Sequence, residues 1–132
     1  MLKTKSVHTP SSAADGLRIL AARFRGRGLP KSRYHVWMAN LGPSEELLRA
    51  FDKIGWREFS RRYKAEMTGT DRASADGLDS RNRVIKNHGQ KFTLRLLGEL
   101  SRRENVTLLC HCAENEPHCH RHLLRALIER AR

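Results

Sequence analysis

The run from Leu17 to Phe24 is apolar on both alternating faces: Leu17, Ile19 and Ala21 share one side, Leu20 and Ala22 the other. A strand of that kind has no face left for water and needs cover on both sides. The expected fold class is therefore α/β: a single layered domain over 1–132, with a small, mostly parallel sheet and helices on both faces. The length agrees, since 132 residues suffice for one core without a metal or disulfide to hold it.

A second run of strand length, Val106 to Leu109, leads into the polar stretch His111 to Pro117, and Leu123, Leu124, Leu127 and Ile128 then recur at helical spacing. This strand-loop-helix unit holds all three cysteines and four of the seven histidines. Pro117 suits a helix's first turn, with Glu116 as cap, and Cys119, His120 and Arg121 then fall in that turn. Unpaired N–H groups and the positive end of the helix dipole favour a thiolate or a bound anion there.

Three readings of the unit follow from its residue types. In the first, Cys119 is a thiolate nucleophile, His120 or His118 a base, and Arg121 an anion ligand. In the second, Cys110, Cys112, Cys119 and His120 hold zinc or iron, although six residues between Cys112 and Cys119 do not match a zinc-finger knuckle. The third is bland: Cys110 and Cys119 are buried small residues and His120 a core histidine.

Charge points to partners. The 26 Lys and Arg against 14 Asp and Glu leave +12, which favours a phosphorylated small molecule or nucleic acid. Arg23, Phe24, Arg25, Gly26, Arg27 and Gly28 form a basic glycine turn where the Leu17 strand ends, a second anion-site candidate through Arg23 and Arg27. No leader or membrane-spanning run is visible, so the expectation is a cytoplasmic protein with reduced thiols and no membrane partner. Oligomeric state is not readable.

Elsewhere, Leu2 to His8 reads as an edge strand. Ser44 caps a helix whose Leu47, Leu48 and Phe51 face inward, Gly55 breaks it, and Trp56, Phe59 and Tyr63 line a second helix as core rather than as a base-stacking platform. Residues 68–80 read as a flexible insert and 81–91 as a basic stretch. Phe92, Leu96, Leu97 and Leu100 give an amphipathic helix.

The ordered set of marks resembles the YeaO-like domains of unknown function. Those marks are Arg18-Ile19-Leu20 with Arg23 and Arg27-Gly28-Leu29, Trp37, Leu41 through Leu47, Phe51, Trp56 through Phe59, Tyr63, Glu66, then Val106 to Cys110 and Cys119-His120-Arg121. The resemblance implies a small bacterial-type α/β domain with its site at these positions, and it leaves the reaction open. This chain departs from it in two places: Ala22 stands where an acidic residue is usual, and Arg25-Gly26 where Trp-Pro is usual. The leading functional expectation is an enzyme acting on a nucleotide or other anionic substrate through a Cys-His-Arg site, with Arg23, Arg27, Arg121 and Ser44 as anion contacts. The alternatives are a non-catalytic nucleic-acid-binding protein and a Cys/His metal-binding module.

Overall fold

The computed structural model of the chain describes residues 1–69 and 90–131. Four strands, β1 (Leu2–Ser6), β2 (Leu17–Leu20), β3 (Val36–Trp37) and β4 (Val106–Cys110), form a parallel sheet in the order β1-β4-β2-β3. Three α-helices among the described residues accompany it: α1 (Glu45–Thr68), α2 (Lys91–Arg103) and α3 (His120–Ala131). The chain is thus a mixed α/β domain with a small parallel sheet.

Strand β4 is central: Leu2 to Ser6 pair with Val106 to Cys110 on one side, and Leu17 to Leu20 with Val106 to Leu109 on the other. All five of its residues are buried. Alternation along the strands then sorts the core into two clusters. Ile19, Ala21, Val106 and Leu108 pack with Leu47, Phe59, Tyr63, Leu94, Leu97, Leu124 and Ile128 from the three helices. Val7, Leu20, Ala22 and Leu109 form the other cluster, covered by Leu29 and Tyr34, which flank the 3₁₀ turn Lys31–Arg33.

The second face also buries charge. Asp15, Arg18 and Thr107 are all buried there. Asp15 ties them together: its carboxylate accepts from Arg18 and from Lys5 Nζ at 3.0 Å, and its carbonyl accepts the Thr107 hydroxyl at 2.7 Å.

Several expectations need correction. The Leu17 strand ends at Leu20 rather than Phe24, because the chain leaves the sheet where Arg23 turns to the Gly42 and Pro43 carbonyls. In α2 the inward stripe is Leu94, Leu97 and Ser101, with Phe92 and Leu96 61% and 67% exposed. The helix is turned so that Gly98, which lacks a side chain, also faces the core. Leu48 is exposed, one position beyond buried Leu47. Gly55 does interrupt α1, with φ 76° and ψ 172°, and Phe59 and Tyr63 are core. The insert expected at 68–80 and the basic stretch after it lie outside the described residues, apart from Thr68 and Gly69, which close α1, and residues 90–91.

Candidate functional site

Because β2 and β4 are parallel neighbours, their carboxyl ends meet, and the two sequence-level candidates meet with them. In the basic turn Gly26 has φ 86°, and a Cβ there would stand 2.9 Å from His111 Cε1. His111 Nε2 lies 3.0 Å from the Phe24 carbonyl. The glycine is what lets the turn lie against the cysteine loop.

The loop runs from Cys110, the last residue of β4, to Cys119, and α3 begins at His120. The helix therefore starts about one turn later than the expected Pro117; Glu116 accepts the His118 N–H at 3.0 Å within the loop. Arg121, in the first turn of α3, is 0% exposed and reaches back beneath the loop. Its Nη1 donates to Cys110 Sγ at 3.0 Å and the Cys112 carbonyl at 3.4 Å, and its Nη2 to the carbonyls of Ala113 at 3.1 Å and Glu114 at 2.9 Å. One guanidinium thus satisfies carbonyls that lie outside any ladder, and the loop folds around it.

The three sulfurs of Cys110, Cys112 and Cys119 lie within 4.8 Å of one another, with Cys110 and Cys119 only 2.8 Å apart. Cys110 and Cys119 are each 1% exposed, whereas Cys112 is half-buried and is the sulfur that solvent can reach. Hydrogen bonds from the Cys112 and Cys119 thiols, followed by the Arg121 charge, outweigh burial and hold Cys110 well below the usual thiol range. Cys112 and Cys119, sharing protons with that thiolate, are pushed up. Cys110, which also accepts from Arg121, is thereby favoured over the expected Cys119 as the seat of negative charge in the cluster.

The histidines divide. His120 Nε2 bonds the Ala21 carbonyl, and burial holds its pKa down, so it is neutral; its ring meets the edge of Tyr63. His118 is exposed and stacks on Trp56, with centroids 4.9 Å apart and planes at 13°. His120 is thus committed to the Ala21 carbonyl, and His118 lies over Trp56.

The anion set is not assembled as expected. Arg23 donates Nε to the Pro43 carbonyl and Nη2 to that of Gly42, both at 2.9 Å. Ser44 gives its N–H and hydroxyl to Glu66 while its oxygen accepts from the Leu47 N–H, so an internal carboxylate already occupies the place of an anion. Arg121 is buried against sulfur and carbonyls rather than facing a ligand. Arg27 alone of the four is exposed.

Among the described residues, a metal would find the three cysteines and not His120. Thiolates around one tetrahedral zinc stand about 3.8 Å apart, so the Cys110–Cys119 pair would have to open by about 1 Å to hold it. Glu114, which belongs to no motif visible in the sequence, accepts from the Ser6 N–H at 3.1 Å and the Thr9 hydroxyl at 2.5 Å and pins the loop to the end of β1.

A family model, described as the active DUF488-N3 subclade, matches residues 2–132. The chain belongs to the DUF488-N3a family. Its resemblance to YeaO-like domains is accounted for, these being a DUF488 grouping. No curated protein and no solved structure matches this DUF488-N3a chain. No helix among its described residues is long and apolar enough to cross a membrane.

Proposed function

We propose that this DUF488-N3a protein is a thiol-dependent enzyme working at the joined carboxyl ends of β2 and β4. Cys112 is the attacking sulfur, Cys110 the thiolate that activates it, and Arg121 the positioning residue that keeps the charge in the cluster. The observation that carries the reading is Arg121. A buried guanidinium without an anion costs several kcal/mol, and among the described residues the nearest carboxylate oxygen, of half-exposed Glu114, is 4.0 Å away. The Cys110 sulfur lies closer and is buried, so it is the natural counter-charge.

In the reacting step, Cys112 Sγ bonds the electrophilic carbon or sulfur of the substrate. Its proton passes to Cys110 Sγ, and the leaving group departs with its electron pair. Two thiols that share one proton deliver their charge through either sulfur. The substrate class is anionic, phosphorylated metabolites and nucleotides included, drawn by the +12 field and by Arg27 at the adjoining turn. The family description "active" agrees with a working site.

The test is labelling with iodoacetamide near pH 7, followed residue by residue. Cys112 should react at least about tenfold faster than Cys110 and Cys119, and Cys110→Ala should slow it about as much, because the activating charge is gone. Equal labelling of all three sulfurs, or a Cys112 rate untouched by Cys110→Ala, would end this reading.

A further inference from the structure

A thiol enzyme that hydrolyses or transfers groups needs one sulfur, and this site has three. Any covalent adduct on Cys112 forms with two other sulfurs within 4.8 Å. The separations say what the extra sulfurs are suited to. A sulfur–sulfur bond is about 2.05 Å long, and thiolates sharing a zinc stand about 3.8 Å apart. At 2.8 Å the buried pair Cys110 and Cys119 is nearer to bonding distance than to the spacing of shared ligands. Burial sets the order of events: an incoming molecule meets Cys112 first, since Cys110 and Cys119 are closed to solvent.

We infer that the three cysteines form a relay for thiol–disulfide exchange with small anionic disulfides, entering at Cys112 and ending as a buried Cys110–Cys119 disulfide. The inference rests on the reading of Cys112 as the entry thiol. In the first step Cys112 Sγ attacks one sulfur of the disulfide RSSR, a mixed disulfide forms, RS⁻ leaves, and the Cys112 proton passes to Cys110. Cys110, giving that proton to solvent, then attacks the Cys112 sulfur, and the second RS⁻ leaves. Finally Cys119 attacks Cys110, and its proton goes to the Cys112 sulfur as that bond breaks. Two protein thiols are oxidised and one disulfide is reduced to two thiols, with no other reactant.

Arg121 sets the direction. In the reduced state it faces a thiolate; in the disulfide state it faces a neutral sulfur and stays buried. The reduced form is therefore favoured and the protein disulfide is oxidising, as for other dithiols whose reduced form is stabilised. Substrates that drive the relay forward must have good leaving thiolates.

The probe is one equivalent of the dianionic bis(nitrobenzoate) disulfide, added to the full reduced chain and quenched in acid. Two coloured thiolates should be released per protein, with peptide mapping placing the bond between Cys110 and Cys119 and leaving Cys112 free. Cys112→Ser, and Cys112→Ala beside it, should slow release at least about tenfold with the melting temperature unchanged. Release with the dianionic probe should fall as salt rises, while the uncharged dipyridyl disulfide should show no such fall. One thiolate released with a stable adduct on Cys112, or a final disulfide that includes Cys112, would overturn the relay. So would release by the Cys112 variants at the wild-type rate. Rapid iodoacetamide labelling of Cys112 alongside the first of those outcomes would overturn the relay alone and spare the thiol-enzyme reading.

Discussion

Replacing Arg121 by Met keeps the aliphatic stem and removes the guanidinium. From the sequence this arginine reads as an exposed anion contact whose loss leaves stability untouched; its complete burial reverses that expectation. The carbonyls of Cys112 and Glu114 lose the guanidinium, as do the Ala113 carbonyl, which keeps the Glu116 N–H at 3.1 Å, and the Cys110 sulfur, which keeps its neighbour Cys119. Each hydrogen bond to a charged group contributes about 1.5–3 kcal/mol, less where a loop carbonyl can turn to water, as those of Ala113 and Glu114 can. Against this, Arg121 Nε is buried without a partner among the described residues, and its removal returns about 1–2 kcal/mol. The net loss is about 3 kcal/mol, which for a chain of this size lowers the melting temperature by about 10–15 °C. Circular dichroism melts of wild type, Arg121→Met, Cys110→Ala and the double variant measure it. A coupling of at least about 1 kcal/mol between the two positions is expected if the thiolate and guanidinium are a pair. A melting temperature within about 3 °C of wild type, or additive single effects, would refute the argument from the buried charge.

Asp15 supplies an acid limb. Burial raises its pKa, and the Ser12 N–H, the Lys5 ammonium and the Ser12 hydroxyl outweigh this to bring it to about 2. A depressed carboxyl stabilises fully above its unfolded pKa and loses that contribution as pH falls through the folded one. About 2 kcal/mol should therefore disappear between roughly pH 4 and 2; urea titrations should show a limb shallower by about that amount for Asp15→Asn, and a limb identical to wild type would count against the assignment. Tyr63→Phe removes the hydroxyl that donates to the buried Leu41 carbonyl at 2.7 Å. It should cost about 1–3 kcal/mol in denaturant unfolding without altering Cys112 labelling, and a loss below about 0.5 kcal/mol would contradict the burial argument.

The two-sided strand at Leu17, the strand-loop-helix at the end of the chain and the Ser44 cap are legible because each is a local pattern of residue types. So is the meeting of the basic turn with the cysteine loop, since the carboxyl ends of parallel strands meet wherever the strands are neighbours. What each side chain does there is not legible. Arg121 and Cys119 adjoin His120 in sequence, but whether the arginine points at solvent or beneath its own loop depends on tertiary packing that no spacing encodes. The same holds for His118, which a Trp56 more than sixty positions earlier draws away. Phe92 and Leu96 fit a helical stripe as well as Leu94 and Leu97 do, and only the placement of Gly98 against the sheet side decides between them.

The register of the sheet bears on how the protein is made. Strand β4 lies between β1 and β2, so β1 has no partner, and β2 only the short β3 along its other edge, until Val106 to Cys110 have been synthesised. A ribosome-bound chain therefore carries the β4-facing edges of β1 and β2 unsatisfied until residue 110 has emerged, the situation in which nascent chains rely on chaperones. All three cysteines are encoded in or just after that closing strand. The thiols consequently leave the exit tunnel with the segment that completes the sheet, and Cys110 and Cys119 are shielded from oxidation by the same closure that buries β4.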